Sequence, residues 1–349
     1  MRSLYVAISQ SKPSKEGGLY VTSEFIKMYK HIILQSLRHL SDKFGKYGDM
    51  VLALDSKNNW RKDYYPEYKS NRKKDRDSSD VNFEEFFSEV SKFTDTLDKS
   101  FPYKVIEVHR AEADDIIGVL AQKFSLEKTV VVSSDKDFKQ VLEYGVELYD
   151  PIKKEFVKMS PEELKEWKLI HVLLGDEGDN VPHIKRGTEF TDNFKAYLKK
   201  NEIYLTEPEK FNKLSISRKL YSEYDTYKTN KKGEVLDELD IFKATPFGEA
   251  GAKKFIADLK SKLTENRIYV ENFERNKNLV LFKHIPEDIR TSIETGFEEI
   301  SFQYDPNDIM EFLVKNSLTQ HIVNITDFYI DGRKMKERHD KKESLSEWV

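Results

Sequence analysis

Thr129-Val130-Val131-Val132-Ser133-Ser134-Asp135-Lys136-Asp137 is a β-branched apolar run that stops at a cluster of acids. Branched side chains suit a pleated, half-buried surface. A short run that is apolar at every position fits a strand covered on both faces. Just upstream, Ala113 to Phe124 reads as a helix with Ile116, Ile117, Leu120 and Phe124 on one face. Before it come a strand over Tyr103–Glu107, a helix over Phe83–Leu97, and a second buried strand, Met50-Val51-Leu52-Ala53-Leu54, which ends at Asp55. Phe25, Tyr29, Ile32, Ile33, Leu37 and Leu40 recur at helical spacing, and Leu4 to Ile8 reads as one more short buried strand. Downstream, Gly145 to Tyr149 offers a further strand.

Strands alternating with helices predict an α/β fold with a mainly parallel central sheet and helices on both faces. In such sheets ligands bind beyond the carboxyl ends of the strands, which is where Asp55 and Asp135 lie. After about Ser160 the strand pattern stops and helices take over. The division expected is an α/β core over residues 1–180 and a mainly helical region over 181–349. The helical region carries a polar, lysine-rich insertion at about 190–240. Its end, Gly332 to Lys342, is so charged that a frayed, flexible tail is expected.

Charged residues make up 34% of the 349 residues and apolar ones 38%, a very polar surface around an ordinary core. The chain has no cysteine, which excludes disulfides, thiolate zinc sites and a cysteine nucleophile. It has no apolar run of the roughly 18 residues that a membrane span needs. The expectation is a soluble, intracellular protein with no membrane partner. The net charge of −4 does not suggest a polyanionic partner, but its distribution does. Eight Lys/Arg (57, 61, 62, 69, 72, 73, 74, 76) stand against three Asp/Glu (63, 67, 75) between Lys57 and Arg76.

The acids gather in four places: Asp55; Glu112-Ala113-Asp114-Asp115 opening a helix; Asp135-Lys136-Asp137 after a strand; and Gly175-Asp176-Glu177-Gly178-Asp179-Asn180. Any single cluster is ordinarily a helix cap or a favourable charge on a helix dipole. Several carboxylates at one sheet edge are another matter, because they repel unless a cation neutralises them. Oxygen donors without cysteine suit a hard ion such as Mg²⁺ or Mn²⁺. Two such ions can activate water and stabilise the leaving oxygen of a phosphodiester.

The order Leu54-Asp55, Glu112-Ala113-Asp114-Asp115, Ser133-Ser134-Asp135-Lys136-Asp137-Phe138 and Gly175-Asp176 through Asp179-Asn180-Val181-Pro182 resembles the 5′-nucleases, or flap endonuclease superfamily. The resemblance extends to the ribonucleases H of T-even phages through Trp60-Arg61-Lys62-Asp63 and Asn278-Leu279-Val280-Leu281 followed by Ile285-Pro286. The resemblance covers most of residues 4–300. It implies a PIN-like 5′-nuclease core and two Mg²⁺ ions, for which Mn²⁺ can substitute. The catalytic acids would be Asp55, Glu112, Asp114, Asp115, Asp135, Asp137, Asp176 and Asp179. Of these, Asp55, Glu112, Asp115 and Asp135 would hold or surround the first metal, with Asp114 in support. Asp137, Asp176 and Asp179 would form the second, weaker site.

One position departs from the pattern. Where the family carries a metal-site aspartate on the first strand, this chain has Ala7, and a methyl group cannot ligate a cation. Either the chain was altered to trap a complex, or it is a natural variant with weakened catalysis. Retention of every other acid favours the first.

The basic run implies contact with nucleic acid, since cations neutralise phosphates and rings stack on unpaired bases. The resemblance makes residues 57–80 the beginning of a helical arch over the site. Arg61, Lys62, Lys69 and Arg72 are then candidates for phosphate, and Tyr65 and Tyr68 for stacking. The family also carries a helix–loop–helix that grips duplex DNA with a potassium ion. Val181-Pro182-His183-Ile184-Lys185 begins like it, but the glycine-rich continuation is absent, which leaves K⁺ without its usual loop. Gly248, Gly251, Lys253 and Lys254 would supply the second half after the insertion, since a glycine turn before a helix presents amides to phosphate. The end, Leu345-Ser346-Glu347-Trp348-Val349, would suit docking to a single-strand-binding protein or a sliding clamp.

The function expected is thus a 5′ to 3′ exonuclease or flap endonuclease with ribonuclease H-type activity. It would be a monomer that removes RNA primers and flaps from branched DNA and RNA–DNA duplex, in a phage-infected cell. A catalytically silent homologue that only binds branched DNA is the alternative, with Ala7 as its support. A PIN-type ribonuclease ranks last, because such domains lack a long helical half.

Overall fold

The computed structural model describes residues 22–70, 83–185, 247–265, 267–301 and 303–346. The expected strand Leu4–Ile8, Ala7, Arg72, the insertion at 190–240 and the terminal Trp348 lie outside the described residues.

Helix α1 (Ser23–Phe44) opens on Thr22, whose hydroxyl accepts the Phe25 N–H at 3.1 Å. Strand β1 (Val51–Leu54) follows, then the short helix α2 (Trp60–Tyr64), helix α3 (Phe83–Ser100) and strand β2 (Lys104–Glu107). β1 and β2 pair in parallel, Val51 opposite Lys104 and Leu54 opposite Glu107. Helix α4 (Ala113–Lys123) leads to β3 (Val130–Val132), which pairs in parallel with β4 (Glu147–Asp150). A short strand that the sequence pattern did not reveal, β5 (Glu155–Val157), folds back antiparallel on β4. It is three residues long, too short to establish a period. A cavity of about 620 Å³ is lined by both β1 and β3, among the described residues.

Helix α5 (Pro161–Leu174) starts at a Ser160/Glu163 capping box with Pro161 in its first turn. The helical half contains α6 (Glu249–Ile256), α7 (Leu259–Glu265), α8 (Arg267–Val280), α9 (Glu287–Glu298), α10 (Pro306–Lys315), α11 (Thr319–Val323) and α12 (Ile325–Ser346).

Alternation along β1 and β2 puts helices on both faces of that sheet. Val51, Ala53 and Ile106 meet a core made by Ile116, Val119 and Leu120 of α4 together with Phe282, Ile285, Ile289 and Ile293. Leu52 and Val105 meet a second core of Leu34 and Leu37 of α1, Phe93 and Leu97 of α3, and Ile309, Leu313, Ile325 and Phe328. The helical half therefore completes both cores of the α/β half. Each such side chain, fully buried, contributes roughly 1.5–3 kcal/mol.

The frayed end expected at Gly332–Lys342 is corrected here, since those residues lie within α12. Met335 is buried, Arg338 Nε donates to Asp49 Oδ1 at 2.7 Å, and Gly332 lies against the Tyr304 ring. A charged helix stays folded when a single apolar residue per turn is anchored and its cations find partners.

Candidate active site

Strand ends and helix starts bring the acids together. Asp55 follows β1, and its Oδ1 accepts the Ala113 N–H at 2.9 Å, at the electropositive start of α4. Asp135 follows β3 and accepts the Asp137 N–H at 3.0 Å, which opens a 3-10 turn over Lys136–Tyr144. Asp176 Oδ1 accepts the N–H groups of Gly178 (2.9 Å) and Asp179 (3.3 Å) in the loop after α5. That loop turns at Gly175, whose φ of +67° is left-handed. A Cβ there would stand 2.3 Å from the Val181 carbonyl oxygen.

Glu112, Asp114, Asp137, Asp176 and Asp179 line one narrow cleft, with Arg61 and Tyr68 on its wall. Asp55 and Asp135 do not line it, but their charges reach Asp114. Burial, then the carboxylates of Glu112, Asp135 and Asp55, push the Asp114 carboxyl up to about 7 in spite of Lys69. Cations hold the rest of the cluster together. Burial raises Glu112, yet Arg61 and Lys69 outweigh it and keep its carboxyl below the usual range. Lys69 Nζ sits on Glu112 Oε1 and 3.5 Å from Asp179 Oδ2. Lys136 Nζ lies 2.7 Å from Asp176 Oδ2 and outweighs burial there in the same way.

Several sequence-based expectations are corrected by this geometry. Asp115 is fully buried and does not line the cleft. Its Oδ1 takes Arg61 Nη2 at 2.7 Å, and its Oδ2 takes Arg61 Nη1, Trp60 Nε1 and the Glu112 N–H at 2.9–3.0 Å. With both oxygens committed to the protein, it anchors the first turn of α4, and Asp114 is the residue of the pair that faces the cleft. Arg61 is 3% exposed, with Nη1 also 3.0 Å from Glu112 Oε2 and Nε on the Leu279 carbonyl, so it is an internal clamp and not a phosphate contact. Tyr65 and Tyr68 are buried as well and do not present rings for stacking. Tyr68 shares its hydroxyl between Glu112 Oε2 (3.0 Å) and Asp179 Oδ2 (2.8 Å).

Lys62 is exposed, as a phosphate contact requires. Lys69 adopts a left-handed φ of +54°, and its N–H donates to the Asp179 carbonyl at 2.9 Å. Asn180 Nδ2 reaches the Glu67 carbonyl (2.8 Å) and Ser70 Oγ (2.9 Å), so the start of the basic segment is pinned to the last acidic loop. Gly248 caps α6 and is exposed; Gly251 lies within the helix against Phe247. Lys253 pairs with Glu249 at 3.0 Å, and Lys254 is exposed. α6 packs through Ala252 and Phe255 on Ile170 and Leu173 of α5 and on Ile184, which joins the Val181–Lys185 segment to it.

Two residues near the acids were not singled out from the sequence. Lys136 sits between Asp135 and Asp137, where an alternation of charges reads as surface. His171 is buried on α5 with Nε2 3.2 Å from Asp137 Oδ1. Its position five residues before Asp176 was the available signal.

The profile of the 5′-3′ exonuclease N-terminal, resolvase-like domain matches residues 4–168. Ribonuclease H of Enterobacteria phage T4 is 36% identical over 172 residues, 47% of this chain and 56% of that protein. The flap endonuclease Xni of Shewanella sp. (strain MR-4) is 31% identical over 133 residues, 36% of this chain and 48% of its own. The chain thus spans about half the length of these curated relatives. Among solved structures, T5 D15 protein co-crystallized with metal ions is similar at a TM-score of 0.47 and 16% identity, over 86% of this chain and 96% of its own. With the acids of its first half set at strand ends and helix starts, the chain is similar through residues 4–168 to the resolvase-like N-terminal domain of 5′-3′ exonucleases.

Proposed function

We propose that the chain is a divalent-metal-dependent 5′-nuclease. It hydrolyses a phosphodiester near the 5′ end of a strand in branched, flapped or RNA-primed duplex. The observation that carries this reading is the convergence of five carboxylates on one cleft, with Asp114 pushed up to about 7 by its neighbours. So many acids share a site only where a cation offsets their repulsion. The donors are oxygens, which fits Mg²⁺, with Mn²⁺ as a substitute. Asp55, Glu112, Asp114 and Asp135 would hold or surround one ion; Asp137, Asp176 and Asp179 would serve a second. Such ions supply a water of lowered pKa and neutralise the charge that develops on the leaving oxygen.

The chain's own side chains do the rest. Arg61 and Trp60 fix Asp115, and through it the first turn of α4, so that Asp114 faces the cleft. Lys69 and Lys136 offset the acids, and both are placed to turn toward a phosphate once other cations occupy the cluster. Lys62 meets the approaching strand from the exposed face of α2. Replication partners such as a single-strand-binding protein or a clamp, and an intracellular setting, belong to the same reading.

Ala7 favours a second reading, in which the chain binds branched DNA without cutting it. Single-turnover cleavage of a 5′-flap DNA in Mg²⁺ separates the two, comparing the chain with its Ala7→Asp and Asp114→Asn variants. A rate raised by orders of magnitude in Ala7→Asp, and abolished in Asp114→Asn, supports the nuclease. Tight flap binding with no cleavage by either the chain or Ala7→Asp leaves the silent binder.

A further inference from the structure

The acids of the cleft are oxygen donors, but an imidazole nitrogen is also aimed among them. His171 Nε2, Asp137 and Asp176 offer ligand atoms that all lie within 4.8 Å of one another. The His171 side chain is 4% exposed. Its Nε2 stands 3.2 Å from Asp137 Oδ1 but out of line for a hydrogen bond, and both atoms are buried without a hydrogen-bond partner. Buried polar atoms left in that condition are rare and costly. A histidine with a purely packing role turns its nitrogens to partners. Here the ring is held otherwise: Trp167, one turn earlier on α5, stacks on it at 5.1 Å and 17°. That stacking fixes the plane and leaves Nε2 pointing at the acids. Two ligands of one cation with bonds of about 2.1 Å lie about 3–4.2 Å apart, so little movement closes this cluster around an ion.

We propose that His171 Nε2 is a metal ligand, and that with Asp137 and Asp176 it forms a mixed nitrogen–oxygen site that favours a borderline ion such as Mn²⁺ over Mg²⁺. Imidazole binds first-row transition ions well, whereas Mg²⁺ keeps to oxygen and water. Lys136, half exposed, occupies Asp176 Oδ2 and moves to solvent when the ion enters. The inference rests on the metal-nuclease reading, and the experiment tells the failure of one from the failure of the other.

The test uses the full chain without nucleic acid and Mn²⁺ as the probe. Electron spin-echo envelope modulation of the Mn²⁺-loaded protein should show coupling to a directly bound ¹⁴N. The coupling should vanish in His171→Gln, with Mn²⁺ affinity at that site falling roughly tenfold to hundredfold. Mg²⁺ affinity, measured by competition, should change far less. Mn²⁺ bound without nitrogen coupling overturns the inference and leaves the metal reading standing, and this comparison needs only the unaltered chain. Coupling that persists in a folded His171→Gln also overturns it. No Mn²⁺ binding at all removes both.

Discussion

Arg61 carries a guanidinium into the interior from the middle of a basic run. Its fork meets Asp115 through two nitrogens and Glu112 through one. A planar, bidentate donor suits that task better than a lysine. Arg61→Ala leaves the buried Asp115 carboxylate without its counter-charge and Glu112 with Lys69 alone, which costs on the order of 3–5 kcal/mol. The urea midpoint should fall accordingly, and a variant as stable as the parent would show that the clamp is idle. Asp114 gives a prediction of opposite character. Its folded carboxyl is pushed up to about 7, above the unfolded value near 4. The folded state therefore holds more protons than the unfolded one between those values, and stability falls as pH rises from about 4 to about 7. Metal-free protein should lose roughly 1–4 kcal/mol across that window relative to Asp114→Asn. Parallel pH profiles of the two in EDTA would count against the clustered acids. At this scale the acids were legible because they punctuate strand ends. The choice between Asp114 and Asp115 was harder, because it depends on how α4 is rotated. A stripe through Asp115, Ile116, Val119 and Leu120, all buried, carried that information. The burial of Arg61 left no mark on the sequence, since its partners are 51 and 54 residues away.

Elements decide how the acids are presented. The β1 and β3 runs and the helices α1, α3 and α4 follow from apolar periodicity, and they were readable at nearly their observed ends. Strand β4 falls within two residues of the run read at Gly145–Tyr149, but β5 and the order in α12 were not readable, because a three-residue strand lacks a period and a single buried Met335 hides among charges. The loop after α5 turns on Gly175. Its left-handed φ and the carbonyls of Val181 and Pro182, which would lie 2.3 and 2.7 Å from a Cβ, leave no room for any side chain. Those contacts are backbone and cannot swing aside. Gly175→Ala combines roughly 1–3 kcal/mol of backbone strain, at a φ of +67° and ψ of −160° that only glycine adopts readily, with that clash. Asp176 and Asp179 should lose their alignment together. The expected result is a lower melting temperature and Mn²⁺ affinity reduced at the Asp176 site. Unchanged affinity in a folded Gly175→Ala protein would mean that the loop's backbone does not position its acids.

The whole molecule is closed by the helical half, which completes both cores. One seam can be probed by acid. His321 of α11 is 1% exposed, and its Nε2 lies 3.2 Å from the His31 carbonyl oxygen of α1. Burial, then the neighbouring His31 and Arg38 charges, pull its imidazole down to about 4. The unfolded value is near 6.5, so the contribution is fully present above that pH and is lost as pH falls toward 4. Its size is up to about 3 kcal/mol. Asp114 acts in the reverse direction over an overlapping range, so the stability of the metal-free parent should vary little between pH 4 and 7 on account of these two groups. Each variant unmasks the other: His321→Gln leaves the Asp114 slope, and Asp114→Asn leaves the His321 slope. Urea melts of the two variants at pH 4.5 and 7 should therefore shift in opposite directions. Because α1 and the last helices share one core, each melt should remain a single transition followed equally by Trp60 and Trp167 fluorescence and by far-ultraviolet ellipticity. A separate, earlier transition on acidification would show that the helical half comes away alone, and that His321 guards a domain boundary and not a shared core.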